Sequence, residues 1–302
     1  MSRIIFASVV TLLASLSSAA LHAAQPLVDG DWLLNNGDNG HVVVLDVRNA
    51  IDKGSKALYE KGHIPGAIYS NYLNDGWRTT RDDVVGMLPD IAHLERLIGG
   101  LGIGNDDHVV IVPAGVSAAD YASATRVYWT FKVVGHDQVS ILDGGYAQWT
   151  AQGRPLETGS NRRPPLTFTA QFRAQLIASR AHVEQVVNSG KGAMLIDNRP
   201  VSRFTGETKS GVAARFGAIP GARNIPQGRF FNKVDKKSPH LRNSTKIGAR
   251  LALLATPSRS PIAIPDTGPR LAGSPQASYW AISARACTTV RSRTGRGKRG
   301  YP

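Results

Sequence analysis

The chain is short of cysteine: it has one, Cys287, in 302 residues. No disulfide can therefore form within it, whatever the redox state of its compartment. Acids are missing from one end. From Thr245 to Pro302 ten lysines and arginines face a single acid, Asp266, so this segment holds +9 of the formal +14 and leaves +5 for everything before it. The basic character is local, and its Arg/Gly residues are not interleaved with aromatics as a base-stacking platform would be, so nucleic acid is not an expected partner. No His, Cys, Asp or Glu set has the spacing of a metal site. His63 falls at a turn and His108 at a strand edge, and neither metal nor other cofactor is expected. Long apolar runs are also scarce. Only Ile4 to Ala20 qualifies, and it is too short and too rich in serine for a membrane span. Preceded by the basic Met1-Ser2-Arg3 and followed by small residues to Ala24, it reads as a secretory signal over residues 1–24, which places the mature protein in the periplasm or outside the cell, free of the membrane.

What is present is ordinary in amount and repeated in order. A hydrophobic content of 42% over 302 residues fits a folded chain long enough for two domains. The apolar run VVVLDVR, Val42 to Arg48, is followed by GHIPGAIYSNY, Gly62 to Tyr72. About 150 residues later MLIDNR, Met194 to Arg199, is followed by GAIPGARNIP, Gly217 to Pro226. One Pro-Gly turn after an apolar residue is ordinary turn chemistry. Two copies of both signatures in one order indicate a duplicated domain.

The pattern between these marks predicts α/β units around a mainly parallel sheet. Gln25 to Asn36 reads as a short helix and turn. Val42 to Asp46, His108 to Val112 and Val139 to Leu142 read as strands buried on both faces. Ile51 to Lys61 reads as a short helix or loop, and a strand runs from the Pro65-Gly66 turn through Tyr72. Ile91 to Gly100 and Ser117 to Val134 have helical spacing, and Tyr146 to Ala151 a last short helix. Residues 25–152 thus form a first domain. Residues 153–178, opening on a stretch rich in Pro, Gly, Ser and Arg, form a linker. Residues 179–245 begin the second domain with a helix at Ser179 to Asn188, a strand at Ala193 to Asp197 and a turn and strand at Ala218 to Pro226. In residues 246–302 the regularity fails, and this tail is expected to be poorly ordered.

The paired Asp-x-Arg and Ile-Pro-Gly-Ala signatures, with the ending Asp143-Gly144-Gly145-Tyr146-Ala147-Gln148-Trp149, resemble tandem-domain rhodaneses, the thiosulfate and mercaptopyruvate sulfurtransferases. The likeness covers roughly residues 27–243. It implies two rhodanese-like α/β domains, a non-catalytic first and a catalytic second, acting on a small sulfur compound and a thiol or cyanide acceptor. In that family a cysteine thiolate on a strand-to-helix loop takes the sulfane sulfur as a persulfide and passes it on. Backbone amides at a helix N-terminus favour the thiolate there. Arg203, six residues after Asp197, matches the family's substrate-binding arginine. Asp46, Arg48, Asp197 and Arg199 match structural positions, each arginine pairing locally with its aspartate.

The family's second-domain loop, Cys-Asn-Thr-Gly-His-Trp or similar, is missing, so the second sheet is expected to be incomplete and the chain inactive as written. A non-catalytic module binding a sulfur oxyanion or a protein partner is the alternative. Cys287 and Arg293 are separated by five residues, the Cys-x5-Arg spacing of phosphatase loops, but the stretch lacks a glycine to wrap the backbone round an anion and has no buried-strand pattern before it. It is a decoy. The missing loop is recoverable from the tail if the third base of each codon is read with the first two of the next. Ile262 to Gly268 then permits Cys-Asn-Thr-Gly-His-Trp. Cys287 to Arg296 permits Tyr-Asp-Gly-Ser-Leu-Ala-Asp-Trp-Thr, close to the first domain's own Asp143 to Thr150. A frameshift between about Thr245 and Ser258 is therefore expected, in the gene or in its sequencing.

Overall fold

The computed structural model describes residues 24–231. Its organising layer is a five-stranded, all-parallel sheet in the order β1-β7-β6-β2-β3. β2 (Val42–Asp46), β6 (His108–Val112) and β7 (Val139–Leu142) form the middle, each with a strand on either side. β3 (Ile68–Tyr69) and β1 (Leu27–Val28) close the two edges. Side chains alternate between faces, as the pleat requires. Val43, Leu45, Val109, Ile111, Val139 and Ile141 enter one apolar cluster. Val44, Val110, Val112 and Leu142 enter another.

Helices cover both faces, which is why these strands read as continuous apolar runs rather than alternating ones. α3 (Ile91–Gly100) and α4 (Ala118–Val133) contribute Leu94, Ile98, Tyr121, Val127 and Phe131 to the first cluster. α1 (Gly30–Asn36), α2 (Lys56–Lys61) and α5 (Gly145–Ala151) contribute Leu33, Tyr59 and Trp149 to the second. The result is a three-layer α/β unit with a mainly parallel sheet.

Two features depart from the sequence pattern. Gln25 to Asn36 was expected as helix and turn, but its first part is strand β1, whose Leu27 pairs with Ile141 across more than a hundred residues. An antiparallel hairpin, β4 (Thr79–Arg81) and β5 (Val84–Met87), turns through Asp82 and Asp83 with φ of 50° and 62°. Neither residue is the glycine that usually marks such a turn.

Residues 153–178, expected as a linker, lie against this unit. His63 and Glu157 exchange backbone hydrogen bonds, Leu166 donates to the Gly99 carbonyl, and Gln171 donates to that of Val134. Phe168 is buried in the first apolar cluster. The Arg173 guanidinium clasps Asp137 at 2.6 and 2.8 Å and holds that carboxyl well below the usual carboxylate range.

Beyond it come α6 (Arg180–Ser189), β8 (Ile196–Asp197), α7 (Val201–Thr205) and β9 (Arg223–Asn224). Ser179 caps α6 by accepting from His182 N, and Gly190 ends it in the left-handed region. The strand expected over Ala193 to Asp197 shortens to Ile196–Asp197, paired in parallel with β9 alone among the described residues. Phe231 reaches back to the first unit, where it is buried against Tyr121 at 5.5 Å between ring centroids. The 246–302 tail lies outside the described residues.

Candidate functional site

In parallel α/β sheets the chemistry gathers where loops leave the C-terminal ends of the strands. At the end of β2 the buried Asp46 carboxylate receives the Arg48 guanidinium as a fork: Nε at 3.0 and 2.9 Å, Nη2 at 2.7 Å. The same Nη2 donates to the Gly62 carbonyl, and the guanidinium lies 3.8 Å from the centroid of the Tyr146 ring. At the end of β8 the arrangement returns. Arg199 Nε bonds both Asp197 oxygens at 2.9 Å, and its Nη2 bonds Asp197 and the Gly217 carbonyl. In both copies the arginine's own backbone N–H donates to the aspartate. These four residues tie a strand end to the loop that begins the next strand. None presents a free functional group.

The loop after β6 runs from Val112 to Ser117, with Gly115 at φ 77°. A side chain there would place its Cβ 2.0 Å from the Gly144 carbonyl oxygen, so only glycine lets the two loops touch. The amides that follow point inward at the start of α4, where an anion could be held. They are already engaged. The Asp120 carboxylate accepts from Val116 N at 2.7 Å, Ser117 N at 2.9 Å and Gly115 N at 3.3 Å, while Ser117 Oγ accepts from Asp120 N. Burial pushes the Asp120 carboxyl up to about 6, against the pull of those three amides. The first loop thus has no cysteine and no unoccupied amide cradle. The Ser117-x-x-Asp120 spacing is a capping box and could have flagged this in the sequence.

Arg203 lies in the last turn of α7, with its side chain exposed. Its backbone N–H donates to the Pro200 carbonyl, and its guanidinium forms no ion pair among the described residues. The position six residues after Asp46 is Asp52, whose carboxylate accepts from the amides of Asn49 and Gly54. The two halves therefore carry opposite charges at the same place: a fixed acid in the first, a free arginine in the second. Cys287 lies outside the described residues. His63 is fully buried, stacked on Tyr59 at 4.1 Å and bonded to the Tyr59 carbonyl and the Asn161 side chain. His108 bonds Ser140 Oγ at 2.8 Å. No group of three or more His, Cys, Asp or Glu among the described residues could hold a metal.

The all-parallel five-stranded sheet, the Asp–Arg fork and the amide-lined loop after β6 define a rhodanese-like α/β protein. The family description "Rhodanese-like domain" matches residues 29–152. Human 3-mercaptopyruvate sulfurtransferase is 32% identical over 247 residues, covering 78% of this chain and 76% of that protein. Chicken thiosulfate sulfurtransferase is 31% identical over 221 residues, covering 71% and 74%. Among solved structures, SseA from Escherichia coli, a 3-mercaptopyruvate sulfotransferase, superposes with a TM-score of 0.60 at 26% identity, covering 74% of this chain and 84% of that one. The chain belongs to the rhodanese family of sulfurtransferases.

Proposed function

We propose that this chain is an exported tandem rhodanese whose sulfur-transfer loop belongs to the second half, and that the polypeptide as written does not turn over. The observation that carries the tandem reading is the recurring fork. Asp46, Arg48 and the Gly62 carbonyl correspond to Asp197, Arg199 and the Gly217 carbonyl, bond for bond. The donor is a small sulfane-sulfur or mercapto-acid compound of the kind named for its relatives, thiosulfate or 3-mercaptopyruvate, and the acceptor a thiol or cyanide.

The chemistry needs one thiolate. It attacks the outer sulfur of thiosulfate, the S–S bond breaks, and sulfite leaves with the electron pair. Cyanide then attacks the outer persulfide sulfur, thiocyanate leaves, and the thiolate is restored. No cysteine occupies the first loop, and the sequence around Cys287 has neither the apolar-strand pattern nor the glycine of an activating loop. Arg203, charged and free, is the group that would hold the donor's sulfonate or carboxylate.

The frameshift accounts for the missing loop. Resequencing the gene over codons 245–268 tests it: an intact frame whose codons cannot yield Cys-Asn-Thr-Gly-His-Trp in the shifted register would end the idea. Incubating the purified chain with thiosulfate and cyanide tests inactivity, and thiocyanate production would refute it. The exposed Arg203 also favours a second reading, a non-catalytic module that binds a sulfur oxyanion. Thiosulfate binding lost in Arg203→Ala, with no turnover in either protein, would select that reading. Export follows the signal read over residues 1–24, of which residues 1–23 lie outside the described residues. Recovery of a chain that begins near Gln25 from the periplasm or the medium would bear it out.

A further inference from the structure

The chain has two Asn-Gly pairs close together. Asn36-Gly37 ends α1, and Asn39-Gly40 lies in the turn that leads into β2. Asparagine before glycine is chemically labile, because no Cβ keeps the glycine nitrogen away from the asparagine's own side-chain carbonyl carbon. In one dimension the two pairs are alike. The fold separates them.

At Asn36 both the nucleophile and the leaving group are held. The Gly37 N–H donates to the Leu33 carbonyl at 2.7 Å, and Asn36 Nδ2 donates to the Trp32 carbonyl at 2.8 Å. Reaction there has to wait until the last turn of α1 opens. At Asn39 neither restraint exists. Both Asn39 and Gly40 are exposed. The Gly40 N–H and Asn39 Nδ2 donate to nothing among the described residues, and a Cβ on Gly40 would meet no atom within 4 Å. Asn39 Oδ1 accepts from His41 N at 3.2 Å, a bond that strengthens as charge builds on that oxygen during attack at Cγ.

We infer that Asn39 is a site of spontaneous covalent modification, converting through a cyclic imide to aspartate and isoaspartate, and that Asn36 is not. The Gly40 nitrogen gives up its proton and attacks Cγ of Asn39. An N–C bond forms, the Cγ–Nδ2 bond breaks, and Nδ2 takes up the proton and leaves as ammonia. Water then opens the imide at either carbonyl, with nothing oxidised or reduced. Opening at the former main-chain carbonyl gives isoaspartate, which lengthens the backbone by one methylene and adds a negative charge. That carbonyl is the one that accepts from Val42 N at 2.7 Å, and the next carbonyl but one, of His41, accepts from His108 N at 2.7 Å. Isoaspartate at this point therefore loosens the start of the β2–β6 pairing at Val42–His108 and leaves its far end, Asp46–Val112, in place.

The test holds the full chain in mildly alkaline buffer and maps it by peptide fragmentation in the mass spectrometer. Isoaspartate is read by enzymatic methylation of its free carboxylate. Conversion at Asn39 should run at least about tenfold faster than at Asn36, which waits on a helix end. In denaturant the two should convert at comparable rates. Gly40→Ala enters open space at a residue outside the positive-φ set, so it should slow conversion at Asn39 about tenfold without moving the melting temperature. The converted chain, separated by ion exchange, should show faster amide hydrogen exchange at His108 and unchanged exchange at Val112. Equal rates at the two asparagines in the folded chain overturn the assignment. So does a folded chain that keeps Asn39 intact while the denatured chain converts it, or a Gly40→Ala variant that converts as fast as the parent. Unchanged exchange at His108 after conversion overturns the loosening of β2.

Discussion

Replacing Arg48 by methionine should come close to unfolding the first α/β unit. The side chain is 6% exposed and the Asp46 side chain 1%. Methionine keeps most of the aliphatic volume, so the loss is electrostatic. Asp46 is left as a buried carboxylate without a counter-charge, which costs about 3–5 kcal/mol. The contact with the Tyr146 ring contributes about another 1 kcal/mol. A total near 4–6 kcal/mol is a large share of the roughly 5–15 kcal/mol that holds a domain folded. Arg199→Met breaks the same fork where the arginine is 13% and Asp197 3% exposed, a pair less tightly enclosed than Arg48 and Asp46. That loss should be smaller, about 2 kcal/mol. Adding Asp46→Asn to Arg48→Met removes the stranded charge and should return about 2 kcal/mol. Urea unfolding read by tryptophan fluorescence isolates the effect. Trp77 and Trp149 are buried in the first unit, and residues 179–231 contain no tryptophan. Exchange at residues 195–199 reads the Arg199 variant. Equal costs for the two arginine variants, or a double variant less stable than Arg48→Met alone, would refute the claim that burial sets the value of this fork.

Gly115→Ala should destabilise the first unit by about 2 kcal/mol or more, because its φ is positive and the new Cβ would meet the Gly144 carbonyl. Gly100→Ala, at the end of α3 with open space around it, should instead be neutral or gain up to about 1 kcal/mol, and thermal melts of both variants check the contrast. Asp120 carries a pH signature. Its carboxyl titrates near 6 in the fold and near 3.8 when exposed, so the folded state holds its proton to higher pH. The group's contribution to stability should fall by about 3 kcal/mol as pH rises from 4 to 6, and Asp120→Asn should flatten that slope in urea titrations at stepped pH. A slope of the opposite sign would show that the three amides outweigh burial.

The elements legible in the sequence were those whose identity is local. Val42–Asp46, His108–Val112 and Val139–Leu142 are strands because a short stretch holding three or four apolar residues, bounded by turn residues, has few other folded states. Ile91–Gly100 is a helix because its apolar residues recur at helical spacing and a glycine pair ends it. The absence of a reactive cysteine from the first loop was equally plain, since a thiol cannot be supplied by folding. Other features needed the third dimension. Leu27–Val28 is a strand only because Ile141–Leu142 offers it an edge, and two residues carry no period. Residues 153–178 look like a linker by composition, yet Phe168 and Arg173 find partners on α3, α4 and the turn after α4. Asp120 reads as a capping residue in one dimension, and only the meeting of Gly115 with Gly144 turns its amides inward and closes the first loop to anions. The sequence alone determined which chemistry is possible, because functional groups are covalent facts. Tertiary structure decided which of those groups are free to act, because burial and hydrogen bonding depend on neighbours far away along the chain.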